Sequence, residues 1–175
     1  MPAPRRVKWT VLHRYGRPSD TWVETGTFLG LTTEFLAKQA KHVYSIEPEP
    51  RLAADAKRKF SGTSNVTILP GLSEDEFPKL LPKIEGSVSF WLDGHYSAGF
   101  THRGPADTPI REELDALEAH LDRFTAVTIL VDDVRCFDPN DPEFATYPNR
   151  TWLVNWADAH GMQWTIDTDI FAMWR

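Results

Sequence analysis

Three groups of residues along this chain have the types and spacing to do chemistry. The first is a glycine-flanked turn, Gly26-x-x-x-Gly30, with Glu24 before it and Glu47 further on. Glycine lets a backbone bend sharply and approach a ligand, and a helix start after such a turn offers free N–H groups. Glu47 stands 21 residues after Gly26, near the ~20 expected of an acid that accepts hydrogen bonds from a ribose diol. Together they favour an adenosine ligand, although the glycine pair by itself also fits a plain strand-to-helix turn. The second and third groups are Asp93-Gly94-His95 and Asp132-Asp133. Each acidic group comes directly after an apolar run. Three carboxylates brought to one spot repel each other unless a cation or a proton intervenes. Hard oxygen ligands of this kind suit Mg²⁺, Mn²⁺ or Ca²⁺. The alternative is that Asp132 or Asp133 caps the next turn while Asp93 faces solvent.

The turn also narrows the ligand. Its spacing is not the G-x-G-x-x-G that cradles a pyrophosphate, and no G-x-x-x-x-G-K-[ST] loop occurs. None of Tyr15, Tyr44, Tyr96 or Tyr147 has a Lys four residues later, which removes one common dehydrogenase dyad. The acid Glu24 would repel phosphate and tolerate a cation such as a sulfonium.

The elements that must position these residues alternate. Strands are expected at 21–24, 42–47, 66–69, 88–92 and 127–131, and helices at 7–15, 32–40, from Pro50 to about Phe60, 74–81, from Thr108 along an Ile110, Leu114, Leu117, Leu121, Phe124 stripe, and 152–160. Residues 162–167 and 170–174, joined by Asp167-Thr168-Asp169, read as an antiparallel hairpin. Five strand–helix units and then a hairpin predict an α/β fold, a parallel sheet covered by helices on both faces. Ligands of such sheets sit outside the carboxyl ends of the strands, where all three groups fall.

Val23-Glu24-Thr25-Gly26-Thr27-Phe28-Leu29-Gly30 resembles motif I of the class I S-adenosylmethionine-dependent methyltransferases. Phe28 stands where a middle glycine is frequent in that family. Ile46-Glu47 matches its ribose-binding acid, and Gly71-Leu72-Ser73 the segment that contacts adenine. The closing hairpin matches its reversed seventh strand, and the resemblance runs from about Thr21 onward. It implies a three-layer Rossmann-like fold with a mostly parallel seven-stranded sheet and an antiparallel C-terminal strand. It implies S-adenosylmethionine as cofactor, held by Glu24, Gly26, Thr27, Phe28, Gly30, Glu47, Ser73 and Asp93. The three strand-end acids are similar to the metal-dependent O-methyltransferases of the catechol and macrocin types. That likeness implies Asp93, Asp132 and Asp133 as ligands of Mg²⁺ (or Mn²⁺ or Ca²⁺), which would orient and acidify a hydroxyl. The catechol-type base, a Lys three residues after the first Asp, is replaced by Tyr96. His95 is then the nearest candidate base, with His102 the runner-up and Asp93 an alternative when no metal is bound.

Composition sets the remaining bounds. At 175 residues the chain is one ordinary domain, read as a short N-terminal segment (1–20) and a methyltransferase domain (21–175). A net charge of −6 without a Lys/Arg run argues against gripping nucleic acid through phosphates. No apolar stretch nears the ~18 residues of a membrane helix, no secretory signal is evident, and Cys136 is the single cysteine; a cytoplasmic location is the default. A short N-terminal segment leaves the acceptor side open, or completed by a second subunit in a homodimer. The expected activity is methylation of a small-molecule hydroxyl, such as a sugar or other vicinal diol of secondary metabolism. An NAD-dependent oxidoreductase and a non-catalytic S-adenosylmethionine-binding protein are the rivals.

Overall fold

The structure, a computed structural model, describes residues 2–16, 19–94 and 108–175. His95, the expected base, and His102 lie outside the described residues.

Seven strands form one sheet: β1 (Thr21–Thr25), β2 (His42–Glu47), β3 (Val66–Pro70), β4 (Gly86–Leu92), β5 (Phe124–Val131), β6 (Gln163–Asp167) and β7 (Ile170–Trp174). Their order is β3-β2-β1-β4-β5-β7-β6. The first five pair in parallel, and β7 is antiparallel to both β5 and β6. β4 and β5 lie in the middle and are nearly continuous apolar runs, as strands covered on both faces must be. Between the strands run α2 (Leu31–Ala37), α3 (Pro50–Lys59), α4 (Ser73–Leu80), α5 (Ile110–Glu118) and α6 (Arg150–Ala159), with α1 (Arg5–Tyr15) ahead of the first strand. None of the helices among the described residues is long and apolar enough to cross a membrane.

Local chemistry explains where the helices begin. Pro50 opens α3, where its missing N–H costs nothing, and Glu49 caps it by accepting from the Arg51 N–H at 3.4 Å. Asn149 caps α6 by accepting from the Trp152 N–H at 2.9 Å. No threonine side chain caps α2. Gly30 takes the N-cap place in a left-handed conformation, and Thr33 turns inward. The predicted stripe of α5 also overshoots. The helix ends at Glu118, Leu121 falls in a 3₁₀ turn, and Phe124 opens β5.

Two apolar layers result. Phe77, Leu114, Leu117 and Leu153 of α4, α5 and α6 pack on one face of the sheet with Val23, Phe90 and Ile129. On the other face, Val11 and Leu12 of α1 and Leu36 of α2 pack with Trp22, Trp91 and Leu130. The N-terminal helix is therefore part of the packed molecule.

Register brings the chemistry together. Thr25 pairs with Ile46 on one side and Leu92 on the other, and Leu92 pairs with Val131. The next residue of each strand thus emerges at one edge: Gly26, Glu47, Asp93 and Asp132. Backbone bonds continue the ladder there, from the Gly26 N–H to Ile46 O (3.0 Å), Asp93 N–H to Thr25 O (3.2 Å) and Asp132 N–H to Leu92 O (3.1 Å). Because β7 runs backwards, Asp169 arrives at the same edge, where its carbonyl accepts from the Val134 N–H at 2.9 Å.

Candidate functional site

The turn after β1 is built on positive φ angles. Gly26 sits at +89°, and a Cβ there would lie 2.7 Å from the Asp93 carbonyl oxygen, so only glycine lets β1 and the end of β4 approach this closely. Phe28 adopts +48° without being glycine. Its N–H donates to Glu47 Oε2 at 2.7 Å, which compensates the strained backbone, and its ring is left 53% exposed. Glu47 Oε1 accepts from the Glu49 N–H at 2.9 Å. A carboxylate has about four acceptor positions, so Glu47 can hold the turn and still accept from a ligand hydroxyl.

Glu24 and Thr27 are both buried and tie this turn to its neighbours. Glu24 is 1% exposed, and its Oε2 accepts from Thr33 (2.5 Å) and Ser45 (2.6 Å), tying β1 to α2 and β2. Burial pushes its carboxyl up to about 7, against the pull of those two hydroxyls. The Thr27 hydroxyl shares a 2.6 Å bond with that of Ser45. Ser73, at the start of α4, is also buried.

Lys59 carries no signal in the sequence pattern, yet it belongs to the turn. Its ammonium, on α3, donates to the carbonyls of Leu29 (3.0 Å) and Gly30 (2.9 Å), bracing the turn from below. Lys59→Met should lower stability by about 1 kcal/mol, the worth of such bonds to a half-exposed cation, as read from a urea denaturation midpoint.

Glu113 of α5 is a second residue that the motifs do not point to. It lies in the apolar stripe beside Ile110, Leu114 and Leu117, all buried. Burial raises its carboxyl to about 7, while neighbouring Ser73 and Thr25 favour the charged form. Its Oε1 and Asp132 Oδ1 have no hydrogen-bond partner among the described residues. Both residues line a cavity of about 10 Å³ with Thr108 and Tyr147, room for about one water.

The strand-end acids do not assemble as expected. Among the described residues no three His, Cys, Asp or Glu side chains are gathered so as to hold a metal ion. Asp93 and Asp132 are neighbours. Removal from water, then mutual repulsion with Asp132, holds the Asp93 carboxyl well above its usual range; Asp132 is raised too, by burial and by Asp133. Asp133 is turned aside. It sits at φ +53° and accepts from Arg135 Nη1 at 2.5 Å, and Arg135 also pairs with Asp169. The cation at the centre is Lys8 of α1, ion-paired with Asp132 and 3.9 Å from Asp133 Oδ1. Partial burial opposes its charge, but Asp93 and Asp132 keep the ammonium pKa raised. A divalent ion bound by Asp93, Asp132 and Asp133 therefore does not fit this arrangement.

Next to this cluster a cavity of about 570 Å³ opens between Pro4 and Val7 on one side and Arg135, Thr168 and Asp169 on the other. Its size suits a small ligand. Cys136 is buried, and burial lifts its thiol to about 11, which makes it a poor nucleophile.

Comparison with known proteins agrees with this fold. The O-methyltransferase from Bacillus cereus, in complex with S-adenosylhomocysteine, superposes with a TM-score of 0.63 at 17% identity, covering 98% of this chain and 80% of that one. The O-methyltransferase TomG from Streptomyces achromogenes, in complex with S-adenosylmethionine, gives 0.60 at 19%, covering 99% and 80%. The 23S rRNA methyltransferase ErmE gives 0.61 at 18%, covering 100% and 69%. In sequence, protein-L-isoaspartate O-methyltransferase 1 of Polaromonas sp. is 41% identical over 68 residues, 38% of this chain and 29% of that protein. A probable ribosomal RNA small subunit methyltransferase A of Methanosarcina mazei is 36% identical over 76 residues, 41% of this chain and 28% of that protein. The aligned stretches span less than a third of either relative. No protein-family profile matches the chain.

Proposed function

We propose that this chain, which has the fold of the class I S-adenosylmethionine-dependent methyltransferases, moves a methyl group from that cofactor to a hydroxyl of a small molecule. The observation that carries the reading is the turn at Gly26, folded over the Asp93 carbonyl with the Glu47 carboxylate beside it. That cradle fits a nucleoside. Glu47 accepts from the ribose diol, the exposed Phe28 covers the open side, and the segment Gly71 to Ser73 faces the base.

The cofactor supplies a methyl carbon on a positively charged sulfur. The chain's own residues bind it, place the acceptor oxygen in line and take a proton. A new O–C bond forms as the S–C bond breaks, the electron pair stays on sulfur, and the hydroxyl proton goes to a base. Asp93 is one of the described carboxylates at this place and the one next to the Gly26 turn in the backbone ladder, and its raised pKa brings it nearer the operating pH of a general base. Holding acceptor and methyl in line is the larger contribution. No step here runs through a metal.

A small acceptor is favoured over RNA by charge. The chain carries −6, and Lys8 and Arg135 at the strand ends are engaged with aspartates. The cavity beside Arg135 is the natural acceptor approach.

The test is transfer of labelled methyl from S-adenosylmethionine to a panel of sugars and diols, with ribosomal RNA alongside. Label on a hydroxyl compound supports the reading, and label on RNA alone contradicts the acceptor class. Glu47→Gln should weaken S-adenosylhomocysteine binding about tenfold to hundredfold, the range for a hydrogen bond to a charged group. Calorimetry of both proteins checks it, and unchanged affinity would remove Glu47 from the site.

A further inference from the structure

We propose that Lys8 is a tethered counter-cation that takes the place a divalent ion would hold at the acidic strand ends, so that this site works without one. The inference rests on reading those strand ends as the reacting site, but its test needs neither cofactor nor acceptor.

The placement of Lys8 is built, not incidental. Lys8, Val11 and Leu12 stand at i, i+3 and i+4 on α1, on one helix face. Val11 and Leu12 are buried against the sheet with Trp22, Trp91 and Leu130, so Lys8 is carried to the ends of β4 and β5. The helix is fixed at further points. The Trp9 ring stacks on Phe35 with centroids 4.9 Å apart, and Arg14 Nη1 donates to Asp167 Oδ2 at 2.5 Å. The Thr128 hydroxyl donates to the Tyr15 carbonyl at 3.3 Å. The Lys8 stem crosses buried Trp91, with the ammonium 5.9 Å from the ring centroid, and the side chain is 18% exposed.

That placement determines the electrostatics. Lys8 claims Asp132 Oδ2, and Arg135 draws Asp133 and Asp169 together. An incoming divalent ion would have to displace one tethered cation, pull Asp133 away from another, and meet like charge from both. A lysine on a packed helix is always present at its site, whereas a free ion must be concentrated from solution. Lys8 is thus a positioning residue for Asp93 and Asp132. It keeps the Asp93 and Asp132 carboxylates side by side.

The experiment is a melting and calorimetric titration of the chain with Mn²⁺ alone, on the wild type, Lys8→Met and the double variant Lys8→Met/Asp132→Asn. The wild-type melting temperature should move by less than about 1 °C in millimolar Mn²⁺. Lys8→Met should gain about 5 °C or more at Mn²⁺ well above its dissociation constant, and the double variant should lose that gain. Mn²⁺ binding to the wild type as tightly as to Lys8→Met would overturn the proposal, as would no gain in Lys8→Met. Should Lys8→Met fail to fold, a double variant that folds like the wild type supports the charge balance. A double variant that stays unfolded shows that Lys8 serves only packing. S-adenosylhomocysteine affinity is read separately, so its loss would strike the methyltransferase reading and leave this one standing.

Discussion

Gly26→Ala is expected to destabilise the protein by about 3 kcal/mol and to remove measurable S-adenosylhomocysteine binding. Two costs add. An L-residue at positive φ costs about 1–2 kcal/mol, and Gly26 is at +89°. The new methyl would then lie 2.7 Å from the Asp93 carbonyl oxygen, which is backbone and cannot swing away as a side chain could. Relief requires β1 and β4 to separate at their ends, and that separation dismantles the cradle. Gly62→Ala is the matched control, since its Cβ would meet nothing within 4 Å; it should stay within about 0.5 kcal/mol of the wild type. Urea denaturation and calorimetry of the two variants check both halves. A Gly26→Ala protein of normal stability and affinity would mean that β1 and β4 do not approach each other this closely.

The second large effect is on pH. Burial raises Glu24 and Glu113 from 4.5 to about 7. The folded state therefore holds these protons more tightly than the unfolded chain. Their contribution to stability is full below about pH 4.5 and is lost as pH rises through 7. At 1.36 kcal/mol per pKa unit, each costs the fold about 2–3 kcal/mol between pH 5 and pH 8. Glu113→Gln removes one titration while keeping the shape. Relative to the wild type it should gain about 2–3 kcal/mol across that interval, measured as the difference between two denaturation series. Parallel series would show that Glu113 is ionised in the fold at no cost. Glu24→Gln should show the same trend with pH, at a lower overall stability because an amide oxygen accepts more weakly than a carboxylate from Thr33 and Ser45.

The strands were legible because their signal is local. β4 and β5 read as strands from apolar runs alone, and Gly26, Glu47, Asp93 and Asp132 stand out as the first residues beyond such runs. The end of α5 was not legible, since Leu121 and Phe124 continue the helical spacing into the same core after the helix has ended. Phe28 shows a different limit. Its left-handed backbone depends on the Glu47 carboxylate, a contact across 19 residues that no local preference encodes. Lys8 is the extreme case, meeting Asp132 across 124 residues. Three acids at two strand ends read as ligands of a divalent ion; nothing in their spacing points to the lysine of the first helix that pairs with Asp132. Glu113 did leave a sign in the sequence: an acid in step with Ile110, Leu114 and Leu117 on a face that must be buried.

The most direct measurement is a calorimetric titration of the chain with S-adenosylhomocysteine, repeated with NADH. One molecule of S-adenosylhomocysteine should bind per chain, more weakly in Glu47→Gln, and NADH should give no heat. Saturable NADH binding, or no heat from S-adenosylhomocysteine with a properly folded protein, would contradict the assignment of the Gly26 turn and Glu47 as the cradle of that cofactor.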